Sequence, residues 1–156
     1  MQSSPDTKLK KIVVSTDGSP NGSRALDAAI QLAKAFSAEL VVLSVAPQIL
    51  PTVYSPVGVA GPVLDYSAYF DALAKDTKKI VEDGVQKAKQ QSVSARGAAL
   101  TTVNSVAEAI IAESEKENAD LIVVGTRGLG GFKKLVLGSV SSAVVAHATS
   151  SVLVVR

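Results

Sequence analysis

The sequence predicts an open α/β domain, a five-stranded parallel sheet with helices on both faces. Three observations predict it. Short apolar runs alternate four times with segments of helical period, and a fifth apolar run follows the last of these. Leu40 to Val45 is apolar except for Ser44, as befits a strand covered on both faces. The chain of 156 residues is 47% hydrophobic and 19% charged, enough for one sizeable core.

Each element has its own signal. Residues 1–9 are rich in Ser, Pro, Asp and Lys and read as a flexible tail, which leaves 10–156 as a single domain. Lys11-Ile12-Val13-Val14-Ser15 is a β-branched run and the first strand. Asp17-Gly18-Ser19-Pro20 breaks it. Ser19 suits an N-cap and Pro20 the first helical position. Ala25, Ala28, Ala29, Leu32 and Phe36 then form one apolar helical face. Leu40 to Val45 is the second strand. Pro47 to Pro62 holds four prolines and two glycines and reads as a long irregular loop, a lid or a partner surface. Tyr66, Phe70, Leu73, Thr77, Ile80, Gly84 and Ala88 space out a long helix, in which Gly84 costs roughly 1 kcal/mol relative to alanine. Val93 to Val103 contains a weaker third strand. Ser105-Val106-Ala107-Glu108 matches a capping box that opens another helix. Leu121 to Val124 is the fourth strand, Ser139 to Ala148 the last helix and Ser151 to Val155 the fifth strand.

Composition excludes several classes of function. The formal net charge of +2 argues for neither nucleic acid nor an acidic partner. With no cysteine there are no disulfides, thiolate nucleophiles or cysteine zinc sites. The first ten residues lack an apolar signal core, and no apolar run nears the roughly 18–20 residues needed to span a bilayer. A soluble cytoplasmic protein without membrane insertion is expected.

The chemistry concentrates where strands end. Ligands of open parallel sheets bind beyond the carboxyl ends of the strands, where strand order reverses. In a doubly wound order that point lies between the first and fourth strands. Their ends carry Thr16-Asp17-Gly18 and Gly125-Thr126-Arg127-Gly128. Gly138-Ser139-Val140-Ser141 opens the helix that follows. Glycines at a strand exit and a helix entry bring backbone N–H groups close to an anion, and the helix dipole adds about 0.3–1 kcal/mol at an exposed end. Other readings compete. Such glycines also serve tight turns in any α/β fold. Asp17 either caps its turn or faces a ligand. Arg127 either meets phosphate or lies on the surface, and Lys133 and Lys134 suit a solvated face. His147, near the end of its helix, suits a dipole position better than catalysis.

Gly125, Gly128, Gly138 and Ser139 complete the pattern Gly-x2-Gly-x9-Gly-Ser. With Ile12 to Ser19, Asp120 to Gly125 and the closing Ser151 to Val155, the chain from Lys10 onward resembles the universal stress protein family, in its ATP-binding subgroup. The resemblance implies a Rossmann-like fold of the adenine-nucleotide-hydrolase type, strand order 3-2-1-4-5. It implies ATP, or AMP, as ligand, with Mg2+ or Mn2+ beside the phosphates. Asp17 would sit by the ribose or the cation, and Ser15 and Thr16 would line the base pocket. Val45 would meet the adenine edge through its backbone. Gly125 and Arg127 would flank ribose and phosphates, which Gly128, Gly138, Ser139, Val140 and Ser141 would hold. It also implies a homodimer through Val152, Leu153, Val154 and Val155. Asn104 and Val106 stand where glycine and proline are common, a departure expected to affect loop geometry rather than the nucleotide site.

Rival classes lack their marks. There is no Gly-x-Gly-x-x-Gly after the first strand, no Gly-Lys-(Ser/Thr) and no Ser-Gly-Gly turn. A regulatory ATP-binding protein, acting through nucleotide-dependent loop or dimer changes and not as an enzyme, is the leading expectation. A slow ATPase or self-phosphorylating enzyme is the alternative, and a nucleotide-free dimeric interaction protein the second.

Overall fold

The computed structural model describes residues 9–49, 65–126 and 137–156. The order of elements is β1 (Lys11–Ser15), α1 (Pro20–Phe36), β2 (Glu39–Pro47), α2 (Ser67–Gln90), β3 (Ala95–Thr102), α3 (Val106–Lys116), β4 (Leu121–Gly125), α4 (Ser139–His147) and β5 (Ser151–Val155). All neighbouring strands pair in parallel, in the order β3-β2-β1-β4-β5. This is the predicted Rossmann-like fold.

Period-two alternation in the strands divides the core into two layers. Ile12, Val14, Leu40, Val42 and Val123 face α1 and α2, meeting Ala25, Ala29, Ile30 and Ala88. Val13, Val41, Leu43, Ile122 and Val124 face α3 and α4, meeting Ala107, Ile110 and Val144. The three central strands are therefore buried on both sides, which is why their sequences read as continuous apolar runs.

The helix starts follow their caps. Ser19 Oγ accepts the Gly22 N–H at 3.1 Å, and Pro20 is the first residue of α1. Ser105 Oγ accepts the Glu108 N–H at 3.4 Å at the start of α3. Gly84 of α2 has a packing reason. A Cβ there would lie 2.9 Å from Val42 Cγ1 and 3.3 Å from Leu26 Cδ2, so glycine lets the helix lie close on the sheet.

Two sequence-based boundaries need correcting. Leu9 is not part of a free tail, because it packs on the core formed with α1 and α2. Pro47 is not the first residue of a loop. It ends β2 beside Thr102 of β3, and the rung beyond it, from the Gln48 N–H to the Thr102 carbonyl, measures 2.7 Å. Proline is tolerated at a strand end, where its missing N–H leaves no gap in the ladder. The rest of the predicted loop, from residue 50 to Pro62 and including Tyr54, lies outside the described residues.

Among the described residues no helix is long and apolar enough to cross a membrane.

Candidate functional site

The site forms because the strands have unequal lengths. β1 stops at Ser15, paired with Leu43, while β2 continues to Pro47. Among the described residues the last rung between them runs from the Thr16 N–H to the Leu43 carbonyl, at 2.9 Å. Residues of β2 alternate in which neighbour they bond, so Val45 turns its backbone groups toward the space that β1 has vacated. On the other flank, β4 reaches Gly125, one residue beyond Val124, the partner of Ser15. A cleft opens between these two flanks, at the reversal of strand order.

Eight of the residues singled out from sequence line it: Ser15, Thr16, Asp17, Val45, Gly125, Gly138, Val140 and Ser141. Ser139 is exposed and is not among the lining residues. Arg127 and Gly128, and with them Lys133 and Lys134, lie outside the described residues. The lining also includes residues to which the sequence assigned no ligand contact. Asn21 and Gly22 come from the start of α1, Thr126 from the end of β4, and Val106 and Ile110 from α3. Adjacency to Asp17 and Gly125 was a usable signal for the first three. Of the α3 pair, only Val106 carried a mark, as a departure from the family pattern, and Ile110 carried none. Val106, where the chain departs from the family pattern, is the first residue of α3 and is itself one of the lining residues.

The polar groups differ in how they are engaged. Thr16 is buried, and its hydroxyl accepts the Gly18 N–H at 3.2 Å. Asp17 is exposed, and its carboxylate accepts the Ser19 N–H at 3.0 Å. Asp17 is the only charged side chain among the lining residues described. Among the described residues no cluster of three or more metal-ligand side chains occurs. A cation here would take Asp17 as its protein carboxylate and draw its other oxygens from phosphates and water, a set that suits Mg2+.

Three of the described helices, α1, α3 and α4, start among the lining residues, and their caps are not alike. Serine side chains serve the starts of α1 and α3. Gly138 caps α4 with extended backbone (ψ 160°) and no side-chain hydrogen bond. Ser141 directs its hydroxyl to the Gly138 carbonyl, 3.0 Å away. The first N–H groups of any α-helix lack intrahelical partners, so α4 offers its own to the cleft with the positive end of its dipole.

Gly125 has a second role. A Cβ there would lie 2.6 Å from the Asn21 carbonyl oxygen and 3.3 Å from the Gly22 nitrogen. At Gly22 a Cβ would lie 2.6 Å from Thr16 Oγ1 and 2.9 Å from Asp17 Oδ1. The end of β4, the start of α1 and the turn after β1 therefore meet backbone to backbone. Thr126 then ties the cleft to the outermost strand, its N–H donating to the Val155 carbonyl at 2.9 Å.

Comparison with known proteins agrees with this geometry. The model of the Universal stress protein family matches residues 8–156. Universal stress protein YxiE of Bacillus subtilis is 35% identical over 152 residues, covering 95% of this chain and 99% of the relative. Among solved structures, universal stress protein UspA from Lactobacillus plantarum superposes with a TM-score of 0.77 at 25% identity, covering 96% of this chain and 99% of that one. A universal stress protein crystallised in complex with cAMP has a TM-score of 0.67 at 28% identity and covers 96% and 98% of the two chains.

Proposed function

The chain belongs to the universal stress protein family, and from that premise we propose that it binds ATP or AMP as a regulatory ligand in the cleft between β1 and β4. The observation that carries the reading is the cleft itself. Its lining combines apolar residues, among them Val45 and Ile110, with backbone-rich ones at Gly125, Gly138 and Ser141, a combination that suits a ligand with a flat base and an anionic tail. A relative of similar fold was crystallised with cAMP, which has both parts. The described walls enclose about 180 Å³, less than the ~300–1,000 Å³ usual for such sites, so they surround part of a nucleotide rather than all of it.

In this reading Val45 meets the base edge through its backbone, and Ser15 and Thr16 lie beside the base. Gly138, Ser139, Val140 and Ser141 present helix-terminal N–H groups to the phosphates. Asp17 takes the ribose or a phosphate-bound Mg2+ or Mn2+. Among the described lining residues the only carboxylate is Asp17, which binding already uses, so turnover is proposed to be slow.

The signal is proposed to leave through β5. Thr126 lines the cleft and bonds Val155, so a ligand that prefers one position of Thr126 biases the edge strand. Leu153 is 37% exposed on that edge, and Val152 to Val155 is proposed as the homodimer contact. Light scattering at micromolar concentration tests the dimer, and a monomer would defeat that part.

The test of binding starts with purified protein, denatured and examined by mass for released ATP or AMP. Thermal melts then measure stabilisation, expected near 2.7 kcal/mol at a hundredfold excess of ligand over Kd. The double change Gly138→Ala, Ser139→Ala should abolish the response. Wild-type protein that neither carries nor responds to nucleotide would overturn the proposal in favour of a nucleotide-free interaction protein.

A further inference from the structure

We infer that Val106 is a specificity-determining residue, acting on the base of the ligand and not on its phosphates; this rests on the nucleotide reading above. Val106 is the first residue of α3, and Ile110 follows one turn later on the same face. Both line the cleft, at the end formed by Val45 and Pro47. Ile110 is 1% exposed and is committed to the core beneath α3. Val106 is half-buried, so it is the member of the pair that still has surface to give a ligand.

The geometry makes this a stiff wall. Ser105 fixes the start of α3 through its bond to the Glu108 N–H. A β-branched side chain has restricted χ1 freedom, and Val106 is further held by its packing on the core beneath α3. Pro47 is equally confined by its ring. The groups at the backbone-rich part of the cleft, at Gly125, Gly138 and Ser141, belong to β4 and α4, and their N–H donors are main-chain groups that a side-chain change on α3 leaves in place. A change at Val106 therefore alters the space for the base and removes none of the groups offered to the phosphates.

The experiment measures binding of ATP, CTP and inorganic tripolyphosphate to the wild type, Val106→Ala and Val106→Leu by calorimetry. The wild type should prefer ATP to both others. Val106→Ala removes both γ-methyls and should weaken ATP by about tenfold, within the range for small apolar deletions in a pocket, and leave tripolyphosphate unchanged. Val106→Leu should narrow the slot and weaken ATP more than CTP. Equal losses for all three ligands, or ATP binding unchanged in both variants, would overturn the inference. Wild-type protein that binds none of the three would instead defeat the nucleotide reading on which it rests.

Discussion

The two ends of the sheet satisfy their polar groups by opposite means. At the amino end, side chains do the work. Arg96 bridges Glu39 at 2.7 Å and Glu117 at 2.9 Å, and Lys11 joins both carboxylates from 3.6 and 3.5 Å. Asp120 accepts the backbone N–H groups of Lys10 and Lys11 at 2.8 and 2.9 Å. At the carboxyl end no ion pair among the described lining residues does this work; short uncharged caps at Ser19 and Ser105, close-packed glycines and the start of α4, which has no side-chain cap, leave backbone groups facing the cleft. The difference teaches where function can reside. Charges that saturate one another clamp the strand starts, whereas helix-terminal N–H groups and turned-out strand ends stay available to a ligand.

Four changes separate the two ends, in falling order of effect. Gly125→Val strikes the cleft end hardest, because its Cβ meets fixed backbone of Asn21 rather than a side chain that can move. A loss of about 3 kcal/mol is expected in urea unfolding, with nucleotide response lost too. A stable, nucleotide-binding Gly125→Val protein would show that the two loops are not in contact.

Arg96→Ala should break the other end. It leaves Glu117, whose side chain is 10% exposed, with only the more distant Lys11. A cost of about 2 kcal/mol is expected, with ligand affinity unchanged. If affinity falls as well, the ends are coupled and the contrast fails. Ser19→Ala removes a well-formed cap at the cleft end and should cost about 1 kcal/mol by chemical denaturation. Ser105→Ala should cost less, since its bond is longer at 3.4 Å.

The gentlest probe is pH. The guanidinium of Arg96 holds the Glu117 carboxyl below its ordinary range, and the Lys10 and Lys11 N–H groups do the same for Asp120. As pH falls toward the ordinary carboxylate range, the unfolded chain takes up protons before the folded one. The stabilisation is therefore full above that range and disappears as pH falls through the folded values. Asp120→Asn should flatten the loss of urea midpoint between neutral and acidic pH. An unchanged slope would remove Asp120 from the amino-end clamp.

Much of the fold was legible because its signals are local. Continuous apolar runs mark doubly covered strands, and Ser19-Pro20 and Ser105 mark helix starts. The cleft residues next to strand ends, such as Thr16, Asp17 and Gly125, could be read for the same reason. Val106 and Ile110 could not be placed at the cleft, since only the sheet order brings α3 there. The amino-end clamp was equally hidden. Arg96 lies 57 residues from Glu39 and 21 from Glu117, separations that no short pattern spans. Pro47 and Leu9 were misjudged because composition suggested a loop and a tail where pairing and packing decide.

The contact of Gly125 with Asn21 and Gly22 bears on how such sequences diverge. These two glycines answer to packing between loops, whatever the cleft contains. A lineage that abandoned its ligand would keep both, while the exposed Ser139 would be free to drift. Gly125 is thus a marker of descent and architecture, a constraint that the exposed Ser139 does not share.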